Sequence, residues 1–440
     1  MNDHRIVADR SVISGTVRGY VRRVVDDELD VLMPHLPAIS LEGAKGVGKT
    51  RTALRRATTV HRLDDDAVAT IVRAEPRRAV AGDPPVLLDE WQRVPELWDL
   101  VRRAVDDESS GGRFLLTGSA SARETPTHSG AGRIVTVRMR PMSLAERGID
   151  EKTVSVGELL TGRRGDVTGS TPATLSTYAE HIVRSGLPGL AHLTGRALRA
   201  QLDGYLQRIV EHDVEESGLR VRRPDTLQRW LTAYAAATAT TASYEKIRDA
   251  ATSGIGDKPA RTTTGSYVHV LERLWILDRV DAWKPAGTPL SRLSAPPKHH
   301  LVDPALAARL LGVGVDALLD GRNAGPPVTR DGPLAGALFE SLVTQSVRVY
   351  AQAAEARVRH LRTYGGDREI DLIVERDDGR VLALEVKLAR SVTDDDVRHL
   401  TWLRGQLGDD LLDAVVVTTG PDAYRRTDGI AVVPAALLGP

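Results

Sequence analysis

Gly43-Ala44-Lys45-Gly46-Val47-Gly48-Lys49-Thr50 fills the pattern G-x-x-x-x-G-K-T. An apolar run, Ala38-Ile39-Ser40-Leu41, leads into it, and a helix is expected from Lys49 to about Ala57. Glycines in such a loop reach backbone angles that a Cβ would block, so successive N–H groups can point at phosphate oxygens. The following helix aims its positive end at the same anion. Lys49 is placed to reach the β- and γ-phosphates, and the Thr50 hydroxyl to ligate Mg²⁺. The stretch therefore implies a nucleotide site with ATP and Mg²⁺ as its ligands, built at the head of a parallel sheet.

Outward from the loop, Val86-Leu87-Leu88-Asp89-Glu90 is an apolar strand ending in two carboxylates. Asp89 is expected in the Mg²⁺ shell and Glu90 to orient or activate the attacking water. Phe114-Leu115-Leu116-Thr117 is a further strand, and strand carboxyl ends converge on the ligand in this kind of sheet. Thr117 or Ser119 could then sense the γ-phosphate or hold only a local hydrogen bond. Arg133, in Gly130-Ala131-Gly132-Arg133, is a candidate arginine finger. Reaching a neighbour's nucleotide would require a homo-oligomer. An ordinary structural arginine is the equal alternative.

Composition sets bounds on the rest. The chain has 440 residues, enough for two to four domains of roughly 100–200 residues. It carries 59 basic and 59 acidic residues, so it is no polycation built to coat nucleic acid. There are no cysteines, which excludes disulfides, thiolate metal sites and a thiol nucleophile. No secretory leader is visible, and no stretch approaches the roughly 18 apolar residues of a membrane span. A cytoplasmic protein with no membrane partner is the expectation.

Strands separated by helical segments make the N-terminal part, residues 1–160, an α/β layered domain. Residues 15–36 read as a helix leading into the first strand. Residues 119–132, 161–174, 252–262 and 284–297 read as loops or linkers. A helical segment, 175–218, would form a lid. Residues 219–297 read as a winged helix, with helices near 226–237 and 244–250 before a recognition helix at 263–273. Arg261, Ser266, Tyr267 and His269 on or beside that helix, with Arg220, Arg222 and Arg223 upstream, are candidate DNA contacts. A lid or protein-binding module without DNA is the competing reading. His299-His300 lacks a spaced third ligand and reads as surface loop. Trp91 and Trp98 read equally well as core or as ligand contacts. From about residue 298 the chain shows a helix at 334–353, strands at 356–363, 369–375, 380–388, 414–418 and 430–433, and a helix near 393–404.

The chain resembles the bacterial and archaeal AAA-type ATPases that end in a nuclease-like domain of unknown function. The resemblance rests on GAKGVGKT at 43–50, LLDEWQRVPEL at 87–97, FLLTGSAS at 114–121 and AGRIVTVRMRPMSLAE at 131–146. It continues through SGLPG at 185–189, YLQRIVEHDV at 205–214, LFESLV at 338–343, and REIDLIV to LEVK at 368–387. It implies an α/β multidomain chain: a P-loop ATPase core, a helical and winged-helix middle, and a restriction-endonuclease-like α/β domain over 298–440.

The residues of that last segment support a metal-dependent site. In Val381-Leu382-Ala383-Leu384-Glu385-Val386-Lys387, alternation puts Glu385 and Lys387 on one face. A turn at Asp377-Asp378-Gly379-Arg380 would fold the strand carrying Asp371 back against it. Asp371 and Glu385, joined by Glu340 from the long helix, could then bind Mg²⁺, with Lys387 positioning water or stabilising developing charge. Glu369 shares the parity of Asp371. An exposed hairpin face with ordinary charges is the alternative. Two functions follow: an ATP-driven, DNA-directed protein whose last domain cuts DNA, or an ATP-dependent switch that binds nucleic acid or a partner with that domain idle. A small-molecule kinase is a weaker third reading, because it leaves the C-terminal half unused.

Overall fold

The structure is a computed structural model, and it describes residues 19–118, 130–221, 223–252, 260–284, 296–321, 325–326 and 333–440. The chain divides into two compact units, Met1–Glu42 with Gly48–Met139, and Gly43–Val47 with Arg140–Pro440. The sequence had set the first boundary near residue 160. The break falls at Met139 because residues 142–147 are held by a later helix. Leu144 N–H donates to Ser346 Oγ at 3.1 Å, Ala145 N–H to Tyr350 Oη at 3.0 Å, and Gln345 Nε2 to the Met142 carbonyl at 3.1 Å.

In the first unit α1 (Val24–Leu32) precedes β1 (Ala38–Glu42), α2 (Lys49–Leu54), β2 (Thr59–Arg62) and α3 (Asp66–Ala74). Then come β3 (Val86–Asp89), α4 (Glu96–Asp107), β4 (Phe114–Gly118) and β5 (Ile134–Arg138). The strands form one parallel sheet in the order β2-β3-β4-β1-β5. Parallel strands covered on both faces need continuous apolar runs. Residues 86–89 and 114–118 supply them and are buried throughout. Trp91 and Trp98 lie 4.8 Å apart, ring to ring, inside this core. β2, with its alternating exposure, was not legible as a strand beforehand. Asp65 caps α3 by accepting the Ala67 N–H at 2.9 Å.

The second unit opens with β6 (Val154–Ser155), α5 (Val156–Leu159) and β7 (Gly169–Ser170), then α6 (Leu175–Val183) and α7 (Gly195–Arg208). A π-helical turn, Ile209–Asp213, runs from α7 into α8 (Val214–Glu216). Helices α9 (Pro224–Ala236), α10 (Tyr244–Ala251) and α11 (Arg261–Arg273) follow. Residues 277–282 and 298–301 then meet in antiparallel bridges, Leu277 with Leu301 and Val280 with Lys298. Trp230, Tyr234, Tyr267 and His299 pack ring against ring within this segment. His299 and His300 are therefore buried, at 1% and 2% exposure, which corrects the expectation of a surface loop. Tyr244 and Tyr234 enclose the His299 ring, and its Nε2 lies 2.7 Å from the Ala242 carbonyl.

After α12 (Pro304–Leu310) and α13 (Val315–Leu319), the long α14 (Leu334–Ala353) leads into β8 (Arg357–Arg362), β9 (Glu369–Glu375) and β10 (Val381–Lys387). Then come α15 (Arg398–Leu407), β11 (Leu411–Thr418), β12 (Asp422–Arg425), β13 (Ala431–Pro434) and β14 (Leu438–Gly439). The sheet order is β7-β12-β13-β11-β10-β9-β8. β8, β9 and β10 form an antiparallel meander, and β11 joins β10 in parallel across α15. Asp303 ties distant segments together: it accepts from Ser185 Oγ at 2.7 Å, Gly186 N–H at 2.8 Å and Ala305 N–H at 2.9 Å. No described helix is long and apolar enough to cross a membrane.

Candidate functional site

The Gly-rich loop leaves β1 at Glu42 and enters α2 at Lys49. Gly46 and Gly48 have φ of 82° and 106°, which an L side chain rarely adopts. Ala44 and Val47 are buried, and so is Lys49 at 5% exposure. Burial raises the Glu42 carboxyl above its ordinary range, opposed by a hydrogen bond from Ser40 and the charges of Lys49 and Arg138. At the loop tip, Lys45 Nζ donates to Asp213 Oδ1 at 2.6 Å, and Tyr205 Oη donates to the Lys45 carbonyl at 3.0 Å. Asp213 and Tyr205, both inside the YLQRIVEHDV stretch, were not read as site residues. Nothing in their spacing signals a partner some 160 residues away.

Thr50, Asp89 and Thr117 come together. Thr50 Oγ1 donates to Asp89 Oδ1 at 2.7 Å, and Thr117 Oγ1 donates to the same oxygen. Thr117 also accepts the Glu90 N–H at 3.4 Å. Parallel pairing of β3 with β4 sets Asp89 beside Thr117. Asp89 is 4% exposed and Thr117 fully buried, so the Thr117–Asp89 bond lies out of water, while Thr50 is half-buried. Glu90 has φ of 57°, a left-handed conformation that costs a non-glycine residue about 1 kcal/mol. Its carboxylate accepts from Gln92 Nε2. The hard oxygens of Thr50 and Asp89 suit Mg²⁺, and Lys49 beside them suits a polyphosphate. Arg133 pairs with Asp106 Oδ1 at 2.8 Å, in the first unit. Ser119 and Arg222 lie outside the described residues.

The C-terminal candidates also converge, around a residue that was not foreseen. Lys298 Nζ lies 2.9 Å from Glu340 Oε1, 2.9 Å from Asp371 Oδ1 and 3.0 Å from Glu369 Oε1. It is 1% exposed. The three carboxylates overcome the effect of burial and hold the ammonium well above its ordinary range. Asp371 Oδ2 accepts the Val386 N–H at 2.9 Å. Burial alone would raise Asp371, but Lys298 and that N–H prevail and hold it low. Glu340 is pushed up to about 8, by burial first and by the charge of Asp371 second. Glu385 is pushed up to about 8 for the same two reasons. Lys387 Nζ donates to Glu385 Oε1 at 2.9 Å, while the buried Glu385 Oε2 has no hydrogen-bond partner. Glu369 Oε2 takes a second ion pair, from Arg362 at 2.8 Å.

A divalent ion does not fit this arrangement. Its ligand oxygens would close to about 2.0–2.6 Å. Here three of them already face one ammonium at hydrogen-bond length. No group of three or more His, Asp or Glu among the described residues is set to hold a metal.

The candidate DNA contacts divide. Arg261 and His269 of α11 are exposed, as are Arg220 and Arg223, while Ser266 is half-buried and donates its hydroxyl to the Thr262 carbonyl at 3.1 Å. Arg261 pairs with Glu245. Tyr267 is buried against Trp230, so it is a core residue and not a base contact.

Three families match parts of the chain. Residues 35–147 match an AAA domain. Residues 175–317 match a domain of unknown function, DUF8612, and residues 335–438 another, DUF4143. The chain is 26% identical over 410 residues to the uncharacterized proteins Mb2031c of Mycobacterium bovis and Rv2008c of Mycobacterium tuberculosis, covering 91% of this chain and 80% of each relative. Among solved structures, the Walker-type ATPase PABY2304 of Pyrococcus abyssi aligns with a TM-score of 0.40 and 16% identity, over 67% of this chain and 99% of that one. The ORC2 protein of Aeropyrum pernix, in ADPNP–ADP complexes, aligns with a TM-score of 0.28 and 16% identity, over 67% and 91%. The AAA-domain match covers the Gly-rich loop, Asp89 and Thr117.

Proposed function

We propose that the chain is a magnesium-dependent ATPase whose nucleotide state governs binding of DNA by the segments after residue 140, and whose C-terminal domain binds without cutting. The bonding of Thr50 and Thr117 to one oxygen of Asp89 carries the ATPase part. Lys49 would balance phosphate charge, and the Thr50 hydroxyl and Asp89 carboxylate would hold the metal, which when bound neutralises charge on the phosphates. Thr117 fixes the Asp89 carboxylate from the opposite strand. Glu90, turned by its left-handed backbone, is the group to orient water. Exposed Arg220, Arg223, Arg261 and His269 support a phosphate-contacting face in the middle segment. Helices α9 to α11 and the bridged strands after them are compatible with a winged helix. The order α14-β8-β9-β10-α15-β11 supports a restriction-endonuclease-like fold for the last domain.

A second reading, in which that domain cleaves DNA, is favoured by the Glu385–Lys387 pair and by the unpartnered Glu385 Oε2. Lys298 weighs against it. The test incubates wild type, Lys49→Ala and Asp371→Ala with Mg²⁺–ATP and with single- and double-stranded DNA. Phosphate release should vanish in Lys49→Ala, DNA retention should change with nucleotide, and strands should stay intact. Equal phosphate release in Lys49→Ala refutes the ATPase site. Cleavage that disappears in Asp371→Ala refutes the idle domain and installs the second reading.

A further inference from the structure

We propose that Lys298 is a resident cation of the C-terminal domain: its ammonium stands where Glu340, Glu369 and Asp371 would hold a divalent ion, and its removal converts the cluster into a divalent-cation site. The inference deepens the non-cutting reading of that domain and is independent of the nucleotide site.

Four carboxylates gather here, Glu340, Glu369, Asp371 and Glu385, against three cations, Lys298, Lys387 and Arg362. Lys387 serves Glu385, and Arg362 serves the outer oxygen of Glu369. Lys298 alone faces three of the acids, and Glu340 and Asp371 each turn an oxygen to it at 2.9 Å. A carboxylate buried this far keeps its charge only where a cation compensates it, as Lys298 does for Asp371. The set of hard oxygen donors is the one that selects Mg²⁺, Mn²⁺ or Ca²⁺ over softer ions. An ammonium supplies positive charge without a coordination shell, so it satisfies the fold and offers no Lewis acid.

Lys298 is also anchored where it stands. Its N–H donates to the Val280 carbonyl at 2.8 Å, and its carbonyl accepts the Val280 N–H at 2.9 Å. His299 and His300, next in the chain, are buried. The ammonium thus comes from a backbone fixed by a strand pair, not from a free surface arm. A divalent ion entering the wild type would have to displace a cation that cannot reach water without breaking its surroundings. Truncating the side chain would leave Glu340 Oε1, Asp371 Oδ1 and Glu369 Oε1 converging on one point. The buried Glu385 Oε2, which has no hydrogen-bond partner, belongs to the same cluster of interacting charges.

The experiment titrates the full-length chain with Mn²⁺, without nucleotide, and follows free Mn²⁺ by electron paramagnetic resonance and stability by thermal unfolding. Wild type, Asp371→Asn, Lys298→Met and Lys298→Met/Asp371→Asn are compared. Wild type should bind no Mn²⁺ that Asp371→Asn removes. Lys298→Met should gain one site at least about tenfold tighter than any wild-type binding, and its unfolding temperature should climb with added Mn²⁺. The double variant should lose both gains. If Lys298→Met is too unstable to purify, Lys298→Gln takes its place. The wild-type titration tests exclusion by itself in either case. Mn²⁺ bound to wild type and lost in Asp371→Asn overturns the proposal. So does a folded Lys298→Met or Lys298→Gln that binds no more Mn²⁺ than wild type.

Discussion

His299 should make the fold acid-sensitive by a calculable amount. Burial holds its pKa near 4, against 6.5 for a free histidine, with the Arg279 charge a lesser depressing influence and the Ala242 carbonyl opposing both. A base whose folded pKa is depressed contributes stability that is fully present above the unfolded pKa of 6.5. That contribution declines as pH falls through 6.5 toward 4, because the unfolded chain takes up a proton that the folded chain refuses. Between pH 8 and pH 5 this one residue should withdraw about 2 kcal/mol, from the ratio of unfolded to folded protonation at pH 5. His299→Gln keeps a donor for the Ala242 carbonyl and removes the titration. Urea unfolding of both proteins at pH 8 and pH 5, followed by circular dichroism, isolates the term. The other buried histidines, His300 and His360 among them, act in both proteins alike. Wild type should lose about 2 kcal/mol more than the variant over that interval. Losses equal within about 0.5 kcal/mol would refute a buried neutral imidazole enclosed by Tyr234 and Tyr244.

Thr117→Val removes a hydroxyl bond to a buried carboxylate, worth about 1.5–3 kcal/mol. ATP turnover should fall by roughly tenfold to a hundredfold while nucleotide affinity, measured by titration calorimetry, is kept. Asp278 accepts from Arg140 Nε at 3.1 Å and pairs with Arg348 at 3.1 Å, all three being at most 14% exposed. Asp278→Ala should therefore cost about 3–5 kcal/mol in denaturant unfolding, because two buried guanidinium groups lose their counter-charge. An unchanged midpoint would show that water already reaches them.

Much of the fold was legible because it is written in local periods. The helix read at 334–353 and the strand read at 369–375 are found at those bounds, being long and strongly patterned. The helix expected near 393 begins instead at Arg398. Thr393 N–H and Oγ1 bond to Asp396 at 2.8 and 2.7 Å, which holds the intervening residues in a turn. β12, four residues with an exposed alternate face, has too little apolar signal to read. The expected helix at residues 15–36 is realised as Val24–Leu32 among the described residues. The Gly-rich loop was readable because its chemistry sits in consecutive residues. That Asp89 and Thr117 lie at neighbouring strand ends was readable, because strand ends in a parallel sheet must meet; the bond between them was not.

Lys298 shows where such reading stops. Its partners are 42, 71 and 73 residues further along the chain, on a helix and a strand whose own patterns were read correctly. The D…E-x-K spacing reports which acids share a face. It does not report whether a cation from another segment has already been placed among them. Two chains with identical text from residue 338 to residue 387 could thus hold a divalent ion or exclude it, according to one side chain outside that window. Lys298 sits beside two histidines that read as a loop, so no period or motif marked it. Once Val280 and Lys298 are bridged, the ammonium stands at 2.9–3.0 Å from the carboxylates of Glu340, Glu369 and Asp371. The decision between a cutting and an idle domain therefore belongs to the tertiary structure, and a motif shared with nucleases is by itself no measure of nuclease activity.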